Sequence, residues 1–537
     1  MKIKILLVIL CLLCGLQTYG QQLEKDYQSS KLCLSESKDC MPSIATSTQL
    51  TVSPQIHKAT PRKEIRHQIA VDGSQVEALN PMQRASGEYI TKEFSTMGEI
   101  KGVVVLAAFA DVPFSVSPDS INTLLSNRYN ADNYTEEVSF DEYSEAYGKR
   151  IRLEATIPGS ARDYFRAQSF GQFTPLFDVI GPVTLSQNRS YYGGNNNSGN
   201  DKNTSAMIRE ACQKAYDQGL TDFTDYDNDG DGVVDVVYVV YAGVDEAQTD
   251  ISEAIWAKAS TISLTLGDMK FGRYACSGEL VMDIPVIAGI GTFIHEFSHI
   301  LGLPDFYNTE AEDFTVDMWS VMDYGMYNAE GFVPCAYTAF ERYSLDWIPM
   351  HTLDAPATMS IGTTDEEVKG YRIFTSEADT ASFYMLENIR REGWNRYAPA
   401  NGLLISEVTY LKSAWTGNKV NTGTHRHCIV PANNDYNYRT ANKHLFGTEN
   451  HEFSLTSTPS SRTQFGVVMD KPLTDINYNE QTGKTSFHFC GGSITDEVED
   501  IGNQTSETKN LYDLLGRPVK QPTNGLYIRN GKKYLAF

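Results

Sequence analysis

Cysteine is scarce in this chain, nine residues in 537, and histidine numbers only ten. Seven of the cysteines lie beyond residue 20, at 33, 40, 212, 276, 335, 428 and 490, an odd and widely scattered set with no CxxC pair. That pattern excludes a disulfide scaffold and thiolate-type zinc spacing, and leaves Cys33 with Cys40 as the one local bridge to consider. Basic residues are outnumbered, 45 Lys+Arg against 68 Asp+Glu, for a formal net charge of −23 spread along the chain. Such a field repels phosphate backbones and anionic lipid surfaces, so a nucleic-acid binder is excluded. Long apolar runs are missing except at the start, where Lys2 and Lys4 precede Ile5 to Leu13. This run is too short to span a bilayer and reads as a secretory signal peptide, with Thr18 and Gly20 marking cleavage before Gln21. Leu13, where a small residue would be expected before Cys14, argues against a lipid anchor there.

What is present is enough for a sizeable core: 41% of residues are hydrophobic, in a chain too long for one ordinary domain. Residues 21–95 are polar and weakly periodic, as a leader or pro-segment would be. Order is expected from about residue 96, beginning with the β-branched run Val103 to Phe109, which suits a buried strand. A second such run, Val233 to Ala242, follows a helical stretch from about Thr204 to Gln218. Strands alternating with helices predict an α/β layer structure over 96–348. Residues 349–490 read as β-rich, 491–509 as a polar linker and 510–537 as a small β tail.

The most informative stretch is Gly289 to Tyr307, which carries His295, Glu296 and His299 in HExxH spacing. Histidines four apart on a helix share one face, so both imidazoles can reach a single zinc ion, with Glu296 beside the metal-bound water. Composition predicts on the order of 0.01 chance matches to this pattern in such a chain. Gly302, three residues on, can take the left-handed conformation that ends a helix and turns the chain back. Asp305, six residues after His299, then arrives as a candidate third ligand, behind Pro304.

Farther on come Ser320, Val321, Met322, Asp323, Tyr324 and Gly325. With HExxHxxGxxD and this SVMDY turn, the chain resembles the metzincin clan of zinc endopeptidases, and most closely the immune-inhibitor-A-like (M6) metalloproteases. Val103 to Phe114, Gly159 to Phe173, Ile180 to Gly193 and Phe383 to Val408 look like the same framework, so the resemblance covers roughly residues 100–425. Ile294 departs from it, standing where many relatives carry cysteine. The resemblance implies a zincin-like catalytic domain with a central active-site helix, Met322 as the floor beneath the zinc, and Tyr324 as a movable tyrosine steadying the charged intermediate.

The chemistry follows from those groups. Zinc on His295, His299 and Asp305 would keep a fourth position for water and lower its pKa towards about 7. Glu296 would serve as general base and then general acid, a role worth roughly 10²- to 10⁴-fold in rate. The expected function is a secreted zinc-dependent endopeptidase acting on proteins or peptides. The competing reading, a calcium-stabilised surface binding protein on a degenerate protease fold, is disfavoured by the intact Glu296 and ligand set.

A second metal is expected in the stretch Asp225 to Asp235. Asp227, Asp229, Asp231, Gly232 and Asp235 match positions 1, 3, 5, 6 and 9 of an EF-hand-like calcium loop, although Tyr238 replaces the bidentate Glu at position 12. With Asp225, five acids in eleven residues would repel one another without a cation. His425, His427 and Cys428 lack further ligands at metal spacing. The ending Asn510 to Phe537 resembles the C-terminal sorting domains that Bacteroidetes append to proteins exported by the Por (type IX) route, which implies secretion machinery as a partner.

Overall fold

The computed structural model describes residues 95–127, 136–376 and 379–492, together with short strands on either side. The signal peptide, nearly all of the leader and the Cys33/Cys40 pair lie outside the described residues. The five cysteines among the described residues are free thiols, four of them buried. No helix among the described residues is long and apolar enough to cross a membrane.

The fold is mixed α/β around a curled, mostly parallel sheet. Its central strand β1 (Gly98–Ala108) is flanked by the later strand β4 (Phe173–Thr184) and by β5 (Val237–Tyr241), both parallel to it. Between β1 and β4 the chain makes the antiparallel hairpin β2 (Glu136–Ser144) and β3 (Lys149–Ile157) and the helix α1 (Ala161–Gln168). Helix α2 (Thr204–Asp217) precedes β5. Strand β7 (Met269–Gly278) extends the sheet beside β5, and β6 (Lys258–Leu266) pairs antiparallel with β7.

The apolar run in β1 is continuous because both faces of that strand are covered. Successive side chains point to opposite faces. Val103 and Val105 pack with Met207, Ile208 and Ala211 of α2, whereas Val104 and Leu106 pack in the core that contains helix α3 (Gly291–Leu301). The two strand runs and the helix read from sequence are therefore where expected, but the second run is broken. Val233–Val234 is a separate two-residue strand, and the longer strand begins at Val237.

Helix α3 is apolar on nearly all sides because it lies inside the protein. Phe293, Ile294, Phe297, Ile300 and Leu301 are all buried. Its start is packed so closely that a side chain at Gly291 would run into the carbonyl of Met326. Its end is set by Gly302, left-handed at φ 107°, whose N–H reaches the carbonyls of Ser298 and His299.

Beyond α4 (Ala339–Ser344) lies the β-rich part. Strands β8 (Met350–Thr352), β10 (Gly370–Ser376), β11 (Asp379–Ile389), β12 (Gly402–Thr409) and β13 (His427–Ile429) form a five-stranded sheet in that order. Strands β9 (Ala357–Ile361), β15 (Lys484–Phe489) and β14 (Leu473–Asn479) form a three-stranded one. Side chains alternate across β11 and β12: Phe383, Met385, Leu404 and Val408 enter the core of α3, while Tyr384, Leu386, Leu403 and Ile405 pack towards the three-stranded sheet. The β-rich part thus shares one apolar core with α3. At the C-terminus, strands 511–513, 518–519, 525–529 and 532–536 make a small sheet. Glu499–Asp500, read from sequence as linker, pairs into it.

Phe297 sits inside a ring of aromatics, with centroids 5.1 Å from Phe165, 5.3 Å from Phe177 and 6.4 Å from Phe173. Phe297→Ala should therefore lower stability by about 3–5 kcal/mol and Phe297→Leu by distinctly less. Urea-unfolding midpoints measure this, and equal losses for the two variants would show that ring packing is not what holds α3.

Candidate active site

Helix periodicity puts His295 and His299 one turn apart on α3, and both rings are fully buried. His295 Nδ1 lies 2.9 Å from the carbonyl oxygen of Val321, and His299 Nδ1 lies 2.8 Å from that of Leu303. Carbonyls only accept, so each Nδ1 carries the proton and each Nε2 presents its lone pair inward. The turn at Gly302 brings Asp305 back beneath the helix. Its Oδ1 stands 3.2 Å from His295 Nε2 and 3.1 Å from His299 Nε2, with no exposure of any of the three side chains. Two lone pairs and a carboxylate oxygen this close repel one another unless positive charge lies among them. The donor set, two imidazoles and one carboxylate, fits a divalent metal. Glu296 is buried beside them, and it, His295 and His299 offer ligand atoms within 4.8 Å of one another.

The SVMDY turn is tied to the site by hydrogen bonds. Met322 is buried, and its carbonyl accepts the N–H of Phe306 at 2.8 Å, tying the turn to the residue after Asp305. Val321 supplies the carbonyl that orients His295. Glu341, which sequence reasoning missed, anchors the turn through Oε1, accepting from Ser320 Oγ at 2.6 Å and from Met322 N at 3.3 Å. Its other oxygen caps α4, accepting the N–H and hydroxyl of Thr338. Thr338 and Glu341 form a capping box, and that pattern was the one available signal for it.

Asp323, also missed, organises the opposite side of the turn. Its carboxylate accepts from Thr315 Oγ1 at 2.6 Å and from the N–H groups of Val316, Asp317 and Tyr324. Tyr324 is half-buried, and its phenol is held well above the ordinary range chiefly by burial. It lines a cavity of about 390 Å³ together with Glu312, Asp313, Phe314, Asp317 and Tyr436. The cavity wall is strongly acidic.

The acidic loop is only partly assembled. Asp227, Asp229 and Asp231 come together, with ligand atoms within 4.8 Å of one another. Asp227 already accepts the backbone N–H groups of Gly230, Asp231 and Gly232. Asp225 lies outside the trio, 3.3 Å from Lys101 Nζ, and Asp235 accepts from Asn228 N and Nδ2 instead. The five-carboxylate loop expected from sequence is thus a cluster of three, because the flanking acids find partners of their own.

Two buried imidazoles and a carboxylate meeting at one point are a donor set of the kind metalloproteases use. Residues 91–349 match the family model described as immune inhibitor A peptidase M6, catalytic domain. It is similar to pre-pro-metalloprotease PrtV of Vibrio cholerae serotype O1 (strain ATCC 39315 / El Tor Inaba N16961), 26% identical over 305 residues, covering 50% of this chain and 32% of that protein. It is also similar to immune inhibitor A of Bacillus thuringiensis subsp. alesti, 25% identical over 274 residues, covering 44% of this chain and 38% of that protein. The chain thus spans well under half the length of these relatives.

Asp317 gives the site a pH signature. It is buried with φ 57°, and burial, reinforced by the charge of Asp323, pushes its carboxyl up to about 8. An unfolded aspartate loses its proton near pH 4, so between about pH 4 and pH 8 the folded chain holds the extra proton. Stability from this group is therefore full below that window and falls as pH rises through it. Asp317→Asn, which tolerates the left-handed backbone, should gain stability over the wild type at about pH 8.5 and much less at about pH 5. Thermal unfolding at the two pH values checks this; equal differences would mean that Asp317 titrates normally.

Proposed function

We propose that the chain is an exported zinc endopeptidase in which His295, His299 and Asp305 hold the metal and Glu296 moves the proton. The observation that carries this reading is the meeting of two imidazole Nε2 atoms on one carboxylate oxygen in a fully buried position, with Glu296 beside them. When bound, zinc supplies Lewis acidity towards the scissile carbonyl and a water acidified for attack.

The chain's own residues do the rest. Glu296 takes the proton of the attacking water and delivers it to the departing amine. The Val321 and Leu303 carbonyls hold both rings with Nε2 inward, and the buried Met322 is read as the floor of the site. Tyr324, which lines the acidic cavity, donates a hydrogen bond to the developing oxyanion. The acidic loop is read as a structural calcium site built on Asp227, Asp229 and Asp231. The apolar N-terminal run directs export, and the C-terminal sheet engages the secretion machinery.

Casein hydrolysis by the purified full chain tests the reading. A strong zinc chelator should abolish activity, and added zinc should restore it. Glu296→Gln should lower kcat by about 10²-fold or more while retaining one zinc per chain. Bound zinc without proteolysis would point to a metalloenzyme of another class, and absence of both would favour a binding protein on a protease-like fold.

A further inference from the structure

The residue that grips Asp305 most closely comes from far along the chain. Asn418 lies beyond the M6-matched segment, which ends at residue 349. Its Nδ2 donates to Asp305 Oδ2 at 2.6 Å, and its Oδ1 accepts the Asp305 backbone N–H at 2.7 Å. The side chain is 2% exposed and the backbone left-handed at φ 53°, a conformation asparagine tolerates better than most residues.

Its position is fixed from below. Trp415, in the short helix α5 (Lys412–Thr416), is fully buried with its ring 5.5 Å from Phe306 and 5.2 Å from Phe340. The next residues extend the grip: Asn421 Nδ2 donates to the Phe306 carbonyl at 2.5 Å, and Thr422 Oγ1 lies 2.7 Å from Thr309 Oγ1. The stretch 418–422 thus clasps the stretch 305–309.

We propose that Asn418 is a positioning residue for the metal site: by occupying Oδ2 and the backbone N–H of Asp305, it aims Oδ1 at the two imidazoles and presets that carboxylate as a one-oxygen ligand. The proposal rests on the zinc reading above. Its physical basis is that a carboxylate free to rotate loses both entropy and time in the wrong orientation on binding, and partners behind a ligand remove that cost. Loss of such outer-shell partners typically weakens metal affinity or activity about 10- to 100-fold.

The test uses the full chain in three variants. Asn418→Gly keeps the left-handed backbone and deletes the amide. Asn418→Asp keeps the shape and the acceptor for the Asp305 N–H but replaces the donor with a second carboxylate. Asp305→Asn probes the ligand itself. Zinc affinity is measured by competition with a chromophoric chelator, and site geometry by the visible absorption of the cobalt-substituted protein. Both Asn418 variants should bind zinc about 10- to 100-fold more weakly and show an altered cobalt spectrum, with cooperative urea unfolding showing that each variant is folded. Wild-type affinity and spectrum in Asn418→Asp would overturn the proposal, and this variant decides the matter if Asn418→Gly fails to fold. If Asp305→Asn binds zinc like the wild type, the ligand assignment falls first. If only Asp305→Asn is weakened, that assignment survives and the positioning role does not.

Discussion

A carboxylate oxygen held 3.2 and 3.1 Å from two imidazole nitrogens, with no solvent reaching any of them, imposes a demand that most of the surrounding structure meets. Polar groups taken out of water cost several kcal/mol unless each finds a partner. Every atom of the triad that does not face the centre is accordingly engaged: the two Nδ1 atoms by carbonyls and Asp305 Oδ2 by an amide. Those partners come from three separate places, the helix end at Leu303, the turn at Val321 and the distant Asn418.

Supplying partners from so many places makes the catalytic and β-rich parts interdependent. The five-stranded sheet has one face in the same core as the active-site helix, through Phe383, Met385, Leu404 and Val408. Trp415 and Phe340 pack against Phe306, the neighbour of Asp305. A boundary near residue 348 divides the sequence by secondary-structure type, but it does not divide the packing. Sequence matching that ends at residue 349 therefore stops short of groups that touch the site.

Buried carboxyl groups are concentrated on the other side of the Met322 turn. Asp323 keeps its carboxylate in the interior by accepting four hydrogen bonds, and with Asp317 beside it the pair titrates well above ordinary aspartates. Such an arrangement is rigid while its donors stay in place, and three of the four donors, Thr315, Val316 and Asp317, belong to the segment that walls the cavity, the fourth being Tyr324 itself. The Met322 turn and the wall of that cavity are therefore one hydrogen-bonded unit.

Local pattern alone determined a good deal: the HExxH helix, the glycine that ends it, the buried strand runs starting at Val103 and Val233, and the candidate status of Asp305. Each depends on spacing along one element, where helix and strand geometry convert sequence separation directly into direction in space. Other features lie beyond that reach. Asn418 stands 113 residues from the carboxylate it grips, in a stretch with no periodicity or motif of its own. Glu341 and Asp323 look like ordinary acids until the fold surrounds them with donors. In the acidic loop, Asp225 and Asp235 count as ligands by spacing, yet Lys101 and Asn228 claim them once β1 lies alongside. Which polar groups meet across long separations was decided only by tertiary packing, because burial forces each of them to take the nearest complementary partner, wherever in the chain it originates.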